Sequence, residues 1–250
     1  MYTKVKNARE IQGMRQSGRI LAQIFEEIRE YVEPGCSGKD VSQLVRNEIK
    51  ALGAKPVLLG YEGYPDVICI SPNDVIVHGI PNGTPFKEGD LVGFDLCVGY
   101  DGMITDSAFT MAVGKPANDL IKRFLSTTKS SLDEGIAQVK DGVKIGDIAA
   151  AIQKVLDKAG YGIVRDLVGH GVGHYVHEDP NIPNYGQAGK GDTLHAGMTI
   201  AIEPMATLGD YRVTVDADDW AIRTKDGSLS AHFEHTVLIT SEGGEVLTTL

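Results

Sequence analysis

The chain has 250 residues, a formal net charge of −10, 23% charged and 42% hydrophobic residues, a globular balance with length enough for a substantial core. The acidic surplus argues against a protein that coats nucleic acid, because phosphate binding wants clustered Lys and Arg. No apolar run reaches the roughly 18 residues of a membrane span, no signal-peptide core is present, and Cys36, Cys69 and Cys97 have neither zinc nor disulfide spacing; a reduced, cytoplasmic protein is expected.

Taken in chain order, the basic residues Lys4, Lys6, Arg9, Arg15 and Arg19 read as a solvated helix face, with transient ribosome contact as the other use. Helices are expected over 7–31 and 39–52 and strands over Val67–Ile70, Val75–His78, Leu91–Tyr100 and Met103–Val113. Helices over 117–138 and 145–159 follow, then strands over Thr199–Glu203, Tyr211–Val215 and Ser230–Ile239. Residues 180–193, with Pro180, Pro183, Gly186, Gly189 and Gly191, read as a surface loop. The stretch from Val32 through Gly35, Asp40, Val41, Val45 and Ile49 to Gly53 recurs 107 positions later as Val139, Gly142, Asp147, Ile148, Ile152, Leu156 and Gly160. Each copy is a glycine turn followed by an amphipathic helix that ends at a glycine. This spacing predicts a single α+β domain over 1–250, made of two related halves with helices outside and sheets inside.

Asp101-Gly102 is a two-residue hairpin signal. If it is the turn, Tyr100 pairs with Met103 and Cys97 with Asp106, and Asp95 shares their face by the period of two. The two aspartates then stand roughly 6–8 Å apart at Cβ. Gly93, Cys97, Gly99 and Ala108 keep that face small, while Phe94, Leu96, Val98, Phe109 and Met111 on the other suit packing under helices. Further on, Glu203 shares a face with Thr199 and Ala201, and alternation sets Glu234 apart from the β-branched side of its run. A lone Glu in a strand is usually just exposed. Four acids with small neighbours argue instead for convergence, which would be ruinous in an apolar interior without divalent cations to hold them.

Histidines gather in Gly169-His170-Gly171-Val172-Gly173-His174-Tyr175-Val176-His177. The glycines oppose a helix there, so the i,i+4 pair His170 and His174 is not a helical zinc motif. His78 ends an apolar strand at a turn.

Together these segments resemble the type 1 methionine aminopeptidases of the bacterial kind, members of peptidase family M24 with the pita-bread fold. The resemblance rests on Gly60-Tyr61-Glu62-Gly63-Tyr64-Pro65, Cys69-Ile70-Ser71, His78-Gly79-Ile80-Pro81, Asp95 with Asp106, and Gly169-His170-Gly171-Val172-Gly173. It continues through His177-Glu178-Asp179-Pro180, Ile202-Glu203-Pro204-Met205 and Phe233-Glu234-His235-Thr236, in order from about residue 3 to residue 240. It implies two pseudo-symmetric halves, a central antiparallel sheet and outer helices. It also implies two divalent ions (Co, Mn, Fe, Zn or Ni) held by Asp95, Asp106, His170, Glu203 and Glu234, with Asp106 and Glu234 bridging. By the same resemblance His177 stabilises the oxyanion, His78 meets the amide nitrogen, and Glu203 helps relay a proton. Tyr61, Tyr64, Cys69 and Trp220 wall a methionine pocket, and His174 and His235 have no catalytic role. Leu58, Val176 and His232 depart from the usual cysteine, larger side chain and glutamine, which puts substrate fit in question.

The implied activity is a metal-dependent hydrolase that removes methionine from nascent chains and peptides when the second residue is small, acting as a monomer without nucleic-acid or membrane partners. Two rivals share the fold: an aminopeptidase P or prolidase, for which an additional N-terminal domain is expected, and a non-catalytic binding protein, for which lost ligands are expected. Because His170 binds metal only when neutral, activity is expected to fall below about pH 6.

Overall fold

Capping side chains set where the first helices begin. In the computed structural model, which describes residues 3–250, Asn7 accepts from the N–H groups of Arg9 and Glu10 at 3.0 Å. Glu10 reaches back to the Asn7 N–H at 2.8 Å, closing a capping box. Ser37 and Asp40 repeat the device. Among the described residues the α-helices are α1 (Ala8–Tyr31), α2 (Gly38–Ala51), α3 (Asp119–Ile136) and α4 (Ile145–Ala159), each within two residues of expectation. None is long and apolar enough to cross a membrane. Lys6 is not on a solvated face: its ammonium is buried and ion-paired with Glu178 at 3.2 Å.

The strands of the first half are β1 (Lys55–Pro56), β2 (Cys69–Pro72), β3 (Val75–Val77), β4 (Leu91–Tyr100) and β5 (Met103–Ala112). Those of the second are β6 (Gly162–Ile163), β7 (Gly169–Gly171), β8 (Glu178–Ile182), β9 (Thr199–Ile202), β10 (Met205–Thr207), β11 (Val213–Val215), β12 (Ile222–Thr224), β13 (Ser230–His232), β14 (His235–Ile239) and β15 (Gly244–Val246). The expected loop at 180–193 begins late, because β8 pairs with β7. The expected strand over 230–239 is two strands, interrupted at Phe233 and Glu234.

The halves are built alike. Lys55 and Pro56 pair with Gly99 and Val98 in one, and Gly162 and Ile163 pair with Thr207 and Ala206 in the other. The β4–β5 hairpin has its predicted register, Tyr100 with Met103 and Cys97 with Asp106. Its counterpart is the pairing of β9 and β10 with β14 and β13, one continuous register broken by Pro204, which has no N–H to give the ladder. Phe94, Leu96 and Phe109 pack under α1 and α2, while Ile200, Ile202 and Val237 pack under α3 and α4.

The halves join along a short seam. The Glu234 N–H donates to the Ala108 carbonyl at 2.8 Å, and the Ala108 N–H to the Glu234 carbonyl at 3.4 Å. Two residues to either side, threonines take over. Thr236 Oγ1 accepts from the Asp106 N–H at 2.9 Å and donates to its carbonyl at 2.7 Å. Thr110 Oγ1 does the same for His232, 2.9 Å in both directions. A hydroxyl can do both at once, and a valine of the same shape can do neither. Thr236→Val should therefore lower stability by about 1–3 kcal/mol by orphaning two buried backbone groups, read as a lower urea midpoint with unchanged slope.

Candidate metal centre

Asp95 is level with Ala108 across the hairpin, and Ala108 is level with Glu234 across the seam. Level residues project from the same face, so only a methyl group stands between the two carboxylates. Asp106 lies two residues along, on that face. Glu203 comes level with Glu234 one residue beyond the Ile202–His235 pair. The break in the expected strand thus delivers a carboxylate.

His170 comes from β7, pressed between β8 and β9. A Cβ at Gly169 would strike the Ala201 carbonyl, and one at Gly171 would lie 2.7 Å from the Asp179 carbonyl oxygen. The glycines are there because three backbones close around the histidine. His170 Nδ1 is 2.9 Å from the Gly171 carbonyl. A carbonyl only accepts, so the ring proton of the neutral imidazole is on Nδ1 and the Nε2 lone pair faces inward. It faces Glu203 Oε1 at 3.4 Å and Asp106 Oδ2 at 3.9 Å.

The convergence expected from the sequence is present. Asp95, Asp106, His170, Glu203 and Glu234 line one cavity of about 90 Å³, with His78 and His177 beside them. Ligand atoms of Asp106, His170 and Glu234 lie within 4.8 Å of one another, as do those of Asp95, Cys97 and Asp106. His78 leaves the end of β3 with φ of 60°, a left-handed turn that swings it toward the cavity. Tyr61, Tyr64, Cys69 and Trp220 fall in one apolar cluster with Leu58 and Val176. Tyr64 packs edge-on against Trp220 at 5.1 Å, and its hydroxyl donates to the Gly79 carbonyl at 2.9 Å. The Tyr61 hydroxyl is 2.9 Å from His177 Nδ1. His174 and His235 are engaged elsewhere, with Glu10 at 3.1 Å and Thr248 at 2.8 Å.

Burial pushes all four acids upward, Asp106 to about 7 and Asp95, Glu203 and Glu234 well above the usual carboxylate range. The charge of Asp106 reinforces this at the other three. Burial lowers His170 to about 3, which keeps the imidazole neutral and its lone pair free well below pH 6.

A divalent cation fits this set. Asp106 Oδ1 and Glu234 Oε1 are buried with no hydrogen-bond partner, and buried acceptors need a positive partner. The oxygen-rich donors, with one imidazole, suit hard or borderline divalent ions. Several contributors escaped sequence reading. Thr110, Thr236 and the spacer role of Ala108 carry no signal a strand pattern would show. Cys97 enters the strand pattern only as a small residue, yet its sulfur sits beside Asp95 and Asp106. His232 stands 3.7 Å from Glu203 Oε2 and 3.9 Å from Glu234 Oε2.

The sequence profile of metallopeptidase family M24 matches residues 12–241. Methionine aminopeptidase 1 of Bacillus subtilis is 42% identical over 243 residues, covering 97% of this chain and 98% of its own. The chain belongs to the methionine aminopeptidases of metallopeptidase family M24. A methionine aminopeptidase crystal structure from Thermotoga maritima superposes with a TM-score of 0.97 at 42% identity, covering 99% of this chain and 100% of that one. Prolidase from Pyrococcus furiosus, 24% identical with a TM-score of 0.79, shares the fold; the match covers 98% of this chain and 65% of the prolidase. The fold is the pita bread common to both groups, and as an M24 metallopeptidase the protein uses divalent metal.

Acids raised by burial hold protons in the folded metal-free protein that the unfolded chain has already released. Stability of the metal-free protein should therefore fall as pH climbs from about 4 toward about 7, the window between the ordinary carboxylate value and that of Asp106. Metal binding must expel those protons, so added Mn²⁺ should raise the melting temperature more at pH 7.5 than at pH 5. Thermal melts at both values check the sign.

Proposed function

We infer that this protein is a methionyl aminopeptidase, a metallo-hydrolase that frees N-terminal methionine from nascent chains and peptides. The observation that carries the reading is the meeting of four acids, two buried (Asp106 and Glu234) and two half-buried (Asp95 and Glu203), with His170 in one cavity beside an apolar pocket. Both halves supply ligands, so residues 3–250 act as one catalytic domain. Two groups of candidate donors, Asp95 with Cys97 and Asp106, and Asp106 with His170 and Glu234, share Asp106, which favours two ions with Asp106 between them. Asp95 would hold one ion, His170 and Glu203 the other, and Glu234 would bridge with Asp106. Mn²⁺, Fe²⁺ and Co²⁺ suit this donor set. Bound there, divalent ions supply Lewis acidity toward water and the scissile carbonyl.

The remaining work belongs to side chains of the chain itself. Tyr61, Tyr64, Cys69 and Trp220 receive the methionine side chain. Burial raises the Tyr64 phenol and the Cys69 thiol, so both stay uncharged against it. A Tyr61 hydroxyl that donates to His177 Nδ1 leaves the ring proton on Nε2, where it can donate to the developing oxyanion. His78, lowered to about 4 by burial and then by His177, is a neutral partner for the amide nitrogen as it becomes an amine. Glu203 relays the proton. The small cavity, about 90 Å³, that both histidines line favours a small second residue. The substrate is the N-terminus of a new polypeptide, met by a cytoplasmic monomer.

With Co²⁺ or Mn²⁺ added, the protein should cleave Met-Ala and leave Ala-Pro intact; the reverse preference would point to a prolidase. Asp106→Asn should lose both metal and turnover. His177→Ala should keep its metal and lose about 10²–10³ in kcat, the scale of one oxyanion donor. Metal analysis and kinetics on the same samples separate the two effects.

A further inference from the structure

We propose that His232 is a sixth ligand of this centre, a nitrogen donor to the ion held by Glu203. The inference rests on the metal-centre reading above and adds a residue that the resemblance leaves outside it.

Three observations carry it. First, His232 is placed in the second half as Asp106 is in the first. Each has its N–H and carbonyl bound by a threonine hydroxyl of the opposite half. Each is also paired with the outer strand of its own hairpin, Asp106 with Cys97 and His232 with Met205. Backbones related in this way send their side chains to the same face, so the imidazole is on the face of the sheet that carries Asp106 and reaches the carboxylates of Glu203 and Glu234.

Second, Nε2 of His232 is buried and has no hydrogen-bond partner, and the residue is only 3% exposed. Its nearest carboxylate oxygens, at 3.7 and 3.9 Å, are too far for hydrogen bonds. The 3.7 Å between His232 Nε2 and Glu203 Oε2 is a separation that two ligands of one ion take, since donor atoms stand roughly 3–4.2 Å apart when bonds are about 2.1 Å. Third, His170 Nε2 lies 3.4 and 3.9 Å from its two carboxylate oxygens. Glu203 is thus flanked by two imidazole nitrogens, one on each of its oxygens. The glutamine common at this position in the resembled family has no such nitrogen. A second imidazole shifts preference from Mn²⁺ toward Co²⁺, Ni²⁺ or Zn²⁺.

The test uses the full chain stripped of metal, as wild type, His232→Gln and His232→Ala. Co²⁺ and Mn²⁺ are titrated by calorimetry, and X-ray absorption of the Co²⁺-loaded protein counts imidazoles. Wild type should show two imidazoles, and His232→Gln one. Co²⁺ affinity should drop tenfold or more, with a smaller loss for Mn²⁺ and little change in the metal-free melting temperature. If a variant does not fold, the imidazole count of wild type still decides. One imidazole in wild type, or affinities within twofold accompanied by a raised KM for Met-Ala, would make His232 a pocket wall and overturn the proposal. Wild type that binds neither ion would overturn the metal-centre reading and this ligand with it.

Discussion

The site depends on a seam a few residues long. Ala108 and Glu234 exchange main-chain hydrogen bonds, and Thr110 and Thr236 tie the flanking backbones across it. Register in a sheet decides which face every side chain takes, and a slip of one residue would turn each acid away. Because the threonine hydroxyls bind both the N–H and the carbonyl of the opposing residue, they fix that register where a ladder of main-chain bonds cannot continue. Each half has its own helices over its own apolar cluster, and smaller apolar clusters, such as Met14 and Met103 with Leu238 and Leu247, and Ile76 and Val77 with Val164 and Met205, hold the halves together around the polar seam.

That placement carries an electrostatic cost. Four carboxylates in a desolvated cavity raise one another's pKa, and without a cation the fold tolerates them by keeping protons on them. Neutral His170 adds an inward lone pair to the same side of the balance. Affinity for divalent ions and reluctance to bury the acids are therefore one property seen from two sides. Small residues make the arrangement possible: the methyl of Ala108 between two acids, and the glycines around His170 where three backbones crowd together.

The loop bearing His177 has its own anchor. Glu178 Oε1 accepts from the N–H groups of His174 and Tyr175 at 2.7 and 3.0 Å, and its other oxygen meets the buried Lys6 ammonium. Lys6 also donates to Thr3 Oγ1 at 2.7 Å, so the arm before α1 closes over the turn that leads to His177. A basic residue that reads as a surface charge is thereby part of the support for the cavity mouth.

Much was legible in the sequence because it is written in local patterns. The four helices follow from capping and 3.6-residue periodicity. The long hairpin follows from Asp101-Gly102 and alternation, and the two-half plan from a repeat at fixed spacing. The acids could be picked out since charged residues inside apolar strands demand a reason. Short strands such as Gly169–Gly171 could not, because three residues hold no alternation and their pairing is set by distant partners. The break at Phe233 and Glu234, the burial of Lys6, the depressed pKa of His170 and the inward aim of His232 belong to the tertiary structure alone. Each depends on which chain segment lies beside it, through desolvation, cross-strand register and close backbone approach, and none of these is encoded within a few residues of the group it governs.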